Sequence, residues 1–221
     1  MSISTYAELQ TAVANWLARD DLTSRIPEFI TLAEAKFNRT LFHPRMETRT
    51  TLTVDTLLSS PEFLTLPTDF QTMRSARLSG VTGKPRLSFM TQTQIEDYRY
   101  SIDNISTQPV YFSIVGSQME LAPTPSLNYA VEIVYRGNIP ALASNSTNWL
   151  LTEAPHVYLY SSLAHATPFL KDDARVALMQ NIVSQQIVDA VKTDQALTLE
   201  GLRTPGFSLN SPSDVPLQQG M

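Results

Sequence analysis

Residues 47 to 140 and the segments flanking them carry apolar residues at two different periods, which limits the folds open to this chain more than any other feature. In the N-terminal flank, Leu9, Ala12, Val13, Trp16 and Leu17 recur at helical spacing, followed by Phe29, Ile30, Ala33, Phe37 and Leu41. Between the flanks the runs are short, alternate, and are broken by Gly and Pro. A 3.6-residue period needs a helix to bury one stripe, and a two-residue period needs a strand to bury one face.

The local signals place the elements. Thr5 followed by Glu8 fits a capping box. Pro27 suits the first turn of a second helix, and Pro44 ends it. "ETRTTLTVDTLL" (47–58) reads as a strand, and "EFLTLPTDF" as another stopped by Pro67. "MRSARLSGVTGKPRLSFM" reads as two strands around a turn holding Gly80 and Gly83. "TQTQIEDYRYS" is a short helix capped by Thr91 or Thr93. "PVYFSIVGSQMELAPTP" is a hairpin turning at Gly116-Ser117, and "NYAVEIVYRGNIP" is a further strand. A polar loop, "ALASNSTN" (141–148), leads to a helix starting after Pro155 with Val157, Tyr160, Leu163, Ala164 and Phe169. "KDDAR" opens another helix, capped by Asp172 and complemented by Asp173, with Val176, Met179, Val183, Ile187, Ala190 and Val191 as its stripe. Gly201 ends it, and Pro205, Pro212 and Pro216 punctuate the rest.

The expected fold class is α+β. An antiparallel helical bundle forms from the N- and C-terminal segments (1–45 and 141–201), with an inserted antiparallel β unit (46–140) and an extended C-terminal tail or arm (202–221).

Few signals point to catalysis. There is no Gly-x-Ser-x-Gly, no phosphate-cradling Gly-rich loop and no His-Glu-x-x-His. His156 and His165 are nine apart, off a common helical face, and Glu153 with His156 supplies half of a bundle metal site at most. No catalytic residue, cofactor or metal site is expected. Asp20-Asp21 and Asp172-Asp173 read as helix-start carboxylates. The chain has no cysteine, which removes disulfides and thiolate metal ligands and suits a reducing compartment. It opens with no secretory pattern and has no apolar run long enough for a membrane span. The net charge of −5 and the lack of a basic run argue against gripping nucleic acid through its phosphates. An acidic surface suits DNA that must slide without sticking. Trp149, Tyr158 and Tyr160 are core aromatics or interface anchors. Phe207 and Leu209, with Arg203 nearby, are sparse side chains that could anchor an extended arm on a partner.

The chain resembles the head-to-tail adaptor (connector) proteins of tailed bacteriophages. The likeness lies in the order and spacing of "YAELQTAVANWLARDDLTSRIPEFITLAEAKFNR" (6–39), "LPTDF" (66–70), "PVYFSIVGSQMELAPTP" (109–125) and "NWLLTEAPHVYLYSSLAHATPFLKDDAR" (148–175). Ser161 stands where the family pattern leads one to expect Gly after "YLY". The resemblance implies a structural virion protein at the head-tail interface, assembled in the host cytoplasm. It implies a ring, commonly of twelve copies, beneath the portal protein. Such a ring extends the DNA channel without sequence-specific binding and gives tail or nozzle proteins a platform. It implies a C-terminal segment that reaches to the portal or a neighbouring subunit; the candidate partner-binding residues are Trp149, Tyr158, Tyr160, Arg203, Phe207 and Leu209, and no membrane contact is expected. The rival readings are a tail-completion or terminator protein and a tail-vertex peptidoglycan hydrolase using Glu153 or Asp173.

Overall fold

The computed structural model of the chain describes residues 3–18, 20–103, 105–166, 181 and 185. α1 (Tyr6–Leu17) starts as its capping box requires: the Thr5 hydroxyl accepts from the Glu8 amide, and the Glu8 carboxylate accepts from the Thr5 amide at 3.0 Å. It ends at Ala18, whose φ of 49° turns the chain out of the helix. A 3-10 turn, Asp20–Arg25, leads into α2 (Ile26–Thr40), where Phe29, Ile30, Ala33 and Phe37 are buried as their spacing predicts. Trp16 departs from that pattern. It is 58% exposed, on the flank of the α1 stripe that Leu9, Val13 and Leu17 bury.

Seven strands follow among the described residues: β1 (Glu47–Thr53), β2 (Phe63–Thr65), β3 (Phe70–Ser79), β4 (Arg86–Phe89), β5 (Tyr111–Val115), β6 (Gln118–Ala122) and β7 (Ala130–Gly137). They form one sheet in the order β1-β7-β3-β4-β5-β6-β2. The end strands β1 and β2 approach each other, so the sheet curls into a nearly closed barrel. Alternate residues point inward, and Val54, Leu78, Met119, Leu121, Val131 and Ile133 are fully buried in its core. Gly116, at φ 60°, makes the β5–β6 turn where a side chain would strain the backbone.

α3 (Gln92–Ser101) joins β4 to β5 and packs outside β5 and β6. Its cap is Thr91, which forms a reciprocal box with Gln94. Because a helix intervenes, β4 and β5 pair in parallel, Ser88 beside Tyr111 and Phe89 beside Phe112. Arg99 of α3 pairs with the buried Glu120 at 2.7 Å and donates to the Leu121 carbonyl, which holds the helix to the sheet.

A second core lies beside the barrel. α1, α2, α4 (Trp149–Glu153) and α5 (Pro155–Ala166) share it, with Phe29, Phe37, Leu151 and Tyr158 at its centre. Each such side chain contributes about 1.5–3 kcal/mol on full burial.

This architecture overturns the expected fold class. The molecule is a mixed α/β protein whose main element is a seven-stranded, nearly closed, barrel-like sheet, with five α-helices among the described residues. It is not a helical bundle with a small antiparallel insertion. The local reading missed that seven short strands enclose an apolar core of their own. It also missed that one crossover helix makes the sheet mixed. The strand expected through Leu58 stops at Thr53, leaving Leu57 and Leu58 92% and 59% exposed. α4 falls between the expected loop at 141–148 and the helix expected after Pro155, because Asn148 caps it. The helix expected from Asp172, its stripe and the tail lie outside the described residues.

Candidate functional site

The two cores meet at the end of β7, and the residues there are held by polar contacts rather than apolar ones. Arg136 is 6% exposed. Its guanidinium donates to the carbonyls of Asn38 (2.6 Å) and Leu41 (2.7 Å) at the C-terminus of α2, and it sits 4.1 Å above the Phe42 ring. A cation at a helix C-terminus satisfies carbonyls that have no partner within the helix. Burial, with Arg74 nearby, lowers the Arg136 pKa from its ordinary value. One residue on, a Cβ at Gly137 would lie 2.6 Å from the Asp69 carboxylate. That carboxylate accepts from the Tyr135 hydroxyl at 2.9 Å; burial first, and Asp69 second, push the phenol up to about 12.

The chain leaving β7 is then fastened across the helical layer. The Ile139 amide donates to the Asn38 side chain, and the Leu142 amide donates to Glu34 Oε1, both at 2.8 Å. Asn148 donates to the Pro140 carbonyl and to the Tyr158 hydroxyl, and its Oδ1 accepts from the Leu151 amide to cap α4. The Tyr158 hydroxyl in turn donates to Glu34. Burial raises the Glu34 carboxyl, although the hydrogen bonds from Leu142 and Tyr158 favour its charged form. Burial also raises the Tyr158 phenol.

The three aromatics singled out in the sequence separate here. Tyr158 is fully buried, edge-on to Phe37 at 5.0 Å between ring centroids, and acts as a core and network residue rather than a surface anchor. Trp149 is half-buried and stacks on His43 at 4.5 Å. Tyr160 is half-buried and meets the exposed Trp16 edge-on at 5.8 Å. Trp149 and Tyr160 therefore keep surface for a partner, and Trp16, absent from the sequence-based candidates, joins Tyr160. Arg203, Phe207 and Leu209 lie outside the described residues.

The residues considered for chemistry are dispersed. Glu153 forms an exposed ion pair with Arg45 at 2.6 Å. His156 is exposed, whereas His165 is partly buried, and burial, with Lys36, lowers its pKa. Among the described residues no group of three or more His, Asp or Glu could hold a metal ion. No described helix is long and apolar enough to cross a membrane. Ser161 is buried, and its hydroxyl has no hydrogen-bond partner among the described residues.

One feature invisible in the linear sequence is the outer face of β1, β7, β3 and β4. Arg49, Arg74, Arg77 and Arg86 come together there from three strands. Glu132 pairs with Arg49 (3.3 Å) and Arg77 (2.5 Å), and Glu47 pairs with Arg74 (2.9 Å).

A protein-family model described as SU10 adaptor protein matches residues 4–204 of the chain. No curated protein matches it.

Proposed function

The chain belongs to the SU10 adaptor protein family, a bacteriophage structural component, and from that premise we propose the place it takes in the particle. It forms a ring beneath the portal protein, commonly of twelve copies, extends the DNA channel, and gives tail or nozzle proteins their platform. It assembles in the host cytoplasm and remains in the virion at the head-tail interface. Its units are the helical segments 1–45 and 141–201, the β unit 46–140 and an arm at 202–221.

The observation that carries this reading is the extent of the family match: it runs through the barrel and the helical layer alike, so both belong to the adaptor. The surface chemistry supports it. Trp16, Leu57 and Leu58 are exposed apolar side chains at separate places on one molecule, and Trp149 and Tyr160 keep part of their rings accessible. A ring subunit needs different surfaces toward its two neighbours, because ring contacts are heterologous.

Electron microscopy of the protein mixed with its portal tests the proposal. The expected result is a ring stacked on the portal's narrow end. Binding to the tail tube with no portal complex would replace this reading with that of a tail terminator.

A further inference from the structure

The outer face of β1, β7, β3 and β4 gathers four exposed arginines against two glutamates on a chain with a net charge of −5. Its composition follows from strand register. Thr51 lies beside Glu132, Glu132 beside Arg77, and Arg77 beside Arg86, so one row crosses four strands. The next row sets Arg49 beside Val134 and Ser75, and the one after sets Glu47 beside Arg136 and Thr72. The inward neighbours Ala76, Leu78, Leu87, Val131 and Ile133 are buried, which fixes the arginine side of the strands as the solvent side.

Arginine is the only cation on this face. Arg49, Arg74 and Arg77 have side chains 66%, 60% and 39% exposed although each is in an ion pair. Arg86 is exposed and has no ion-pair partner among the described residues. The two acidic groups, Glu47 and Glu132, are both occupied by arginine. Around them stand the hydroxyls of Thr51, Thr53, Thr72, Ser75, Ser79 and Ser88. Among the large exposed hydrophobic side chains of the described residues, Phe42 borders these rows at one end, its ring against the Arg136 guanidinium, and none stands on the strands between the arginines.

That combination selects its ligand. A stable protein partner would need aromatic or large aliphatic anchors in the middle of the contact, and the middle of this face offers only the half-buried Val134. Guanidinium forks and hydroxyl donors with so little apolar surface between them match the oxygens of a phosphodiester backbone, which are contacted by Arg, Ser and Thr regardless of base sequence. We propose that this sheet face is a sequence-independent contact surface for the phosphate backbone of nucleic acid. The contact is weak and salt-sensitive, because few charges take part and two glutamates already engage three of the four exposed arginines. It differs from the expectation, drawn from the lack of a basic run, that the chain does not grip nucleic acid through its phosphates. It does not depend on the ring arrangement.

The test is fluorescence anisotropy of a labelled 30-base-pair duplex with the full chain at low salt, about 25 mM, and at rising salt. Duplexes rich in A·T and in G·C are expected to bind equally. Removing an arginine that contacts phosphate lowers the salt slope by about one. Arg49→Gln with Arg86→Gln is therefore expected to reduce the slope by about two and to weaken low-salt binding about tenfold or more. Arg39→Gln, on α2, is expected to leave binding unchanged. Arg86→Gln alone, which breaks no ion pair, is expected to lose about one unit of slope, and it keeps the test decisive if the double variant folds poorly. No duplex binding by the parent protein, or equal binding by the folded arginine variants, overturns the proposal. Loss of self-association in those variants, with no duplex binding, would instead assign the face to an acidic protein surface.

Discussion

Asn148 shows how much one side chain can hold in this fold. Its Oδ1 caps α4, and its Nδ2 ties the Pro140 carbonyl to the Tyr158 hydroxyl. Asn148→Ala removes a cap, worth about 1 kcal/mol, and leaves buried partners unpaired at about 1–3 kcal/mol more. The expected loss is therefore about 2–4 kcal/mol, read from the urea midpoint with the slope unchanged. A loss below about 0.5 kcal/mol would mean that water replaces Asn148 freely. The same network gives a pH dependence. Burial raises the Glu34 carboxyl above its ordinary 4.5, so the folded protein holds that proton more tightly than the unfolded chain. The stability this confers is full below the unfolded value and is lost as pH rises through the folded value. Glu34→Gln has no such proton. The melting temperature of the parent is expected to fall relative to this variant as pH rises above the ordinary carboxylate value. A gap independent of pH would show that Glu34 titrates alike in both states. Neither partner set was legible in the sequence. Glu34 lies on the apolar stripe of α2, and its contact to Leu142 spans more than a hundred residues.

At the level of elements, the legible parts were those whose signal is local. Thr5 with Glu8 and Thr91 with Gln94 cap helices, Gly116 makes its turn, and Val131, Ile133 and Tyr135 alternate inward along β7. Each follows from residues within one or two turns of chain. Strand pairing does not. Nothing in "PRLSF" and "VYFSI" says that β4 and β5 run parallel, and nothing in β1 or β2 says that they approach each other to curl the sheet. The basic face was hidden for the same reason. Its four exposed arginines lie on β1, β3 and β4, and only register brings them together. The joint between barrel and helices rests on Arg136, which donates to two carbonyls at the end of α2. Arg136→Met keeps an unbranched apolar stem but removes the guanidinium above Phe42 and leaves both carbonyls without their charged donor. The expected cost is about 3 kcal/mol, given the strength of hydrogen bonds to charged groups. Amide hydrogen exchange is expected to show α2's last turn losing protection before the barrel strands do. Equal loss in both would mean that the two layers unfold as one unit.

For the whole molecule, the proposed portal contact raises the question of which part of the chain would make it. The helical layer offers Trp149 and Tyr160, held by His43 and Trp16 respectively, whereas Tyr158 is committed to the core. The proposed arm offers Arg203, Phe207 and Leu209. The family match ends at residue 204, so Phe207 and Leu209 lie beyond it while Arg203 lies within it. A contact made by those two side chains would therefore be fitted to this chain's own portal rather than to the family's common surface. Burying two such side chains on a partner is worth at least about 3 kcal/mol, or about a hundredfold in affinity. Phe207→Ser with Leu209→Ser is expected to weaken portal binding by that factor, and deletion of residues 202–221 is expected to abolish it. An arm that serves a partner and not the fold predicts that both variants melt with the parent, within about 1 °C. Biosensor titration against immobilised portal reads the first effect and calorimetry the second. Undiminished binding by the truncated chain would remove the arm from the interface and leave the contact to Trp149 and Tyr160. In that case Trp149→Ala, which removes the ring stacked on His43, should be the variant that loses the portal.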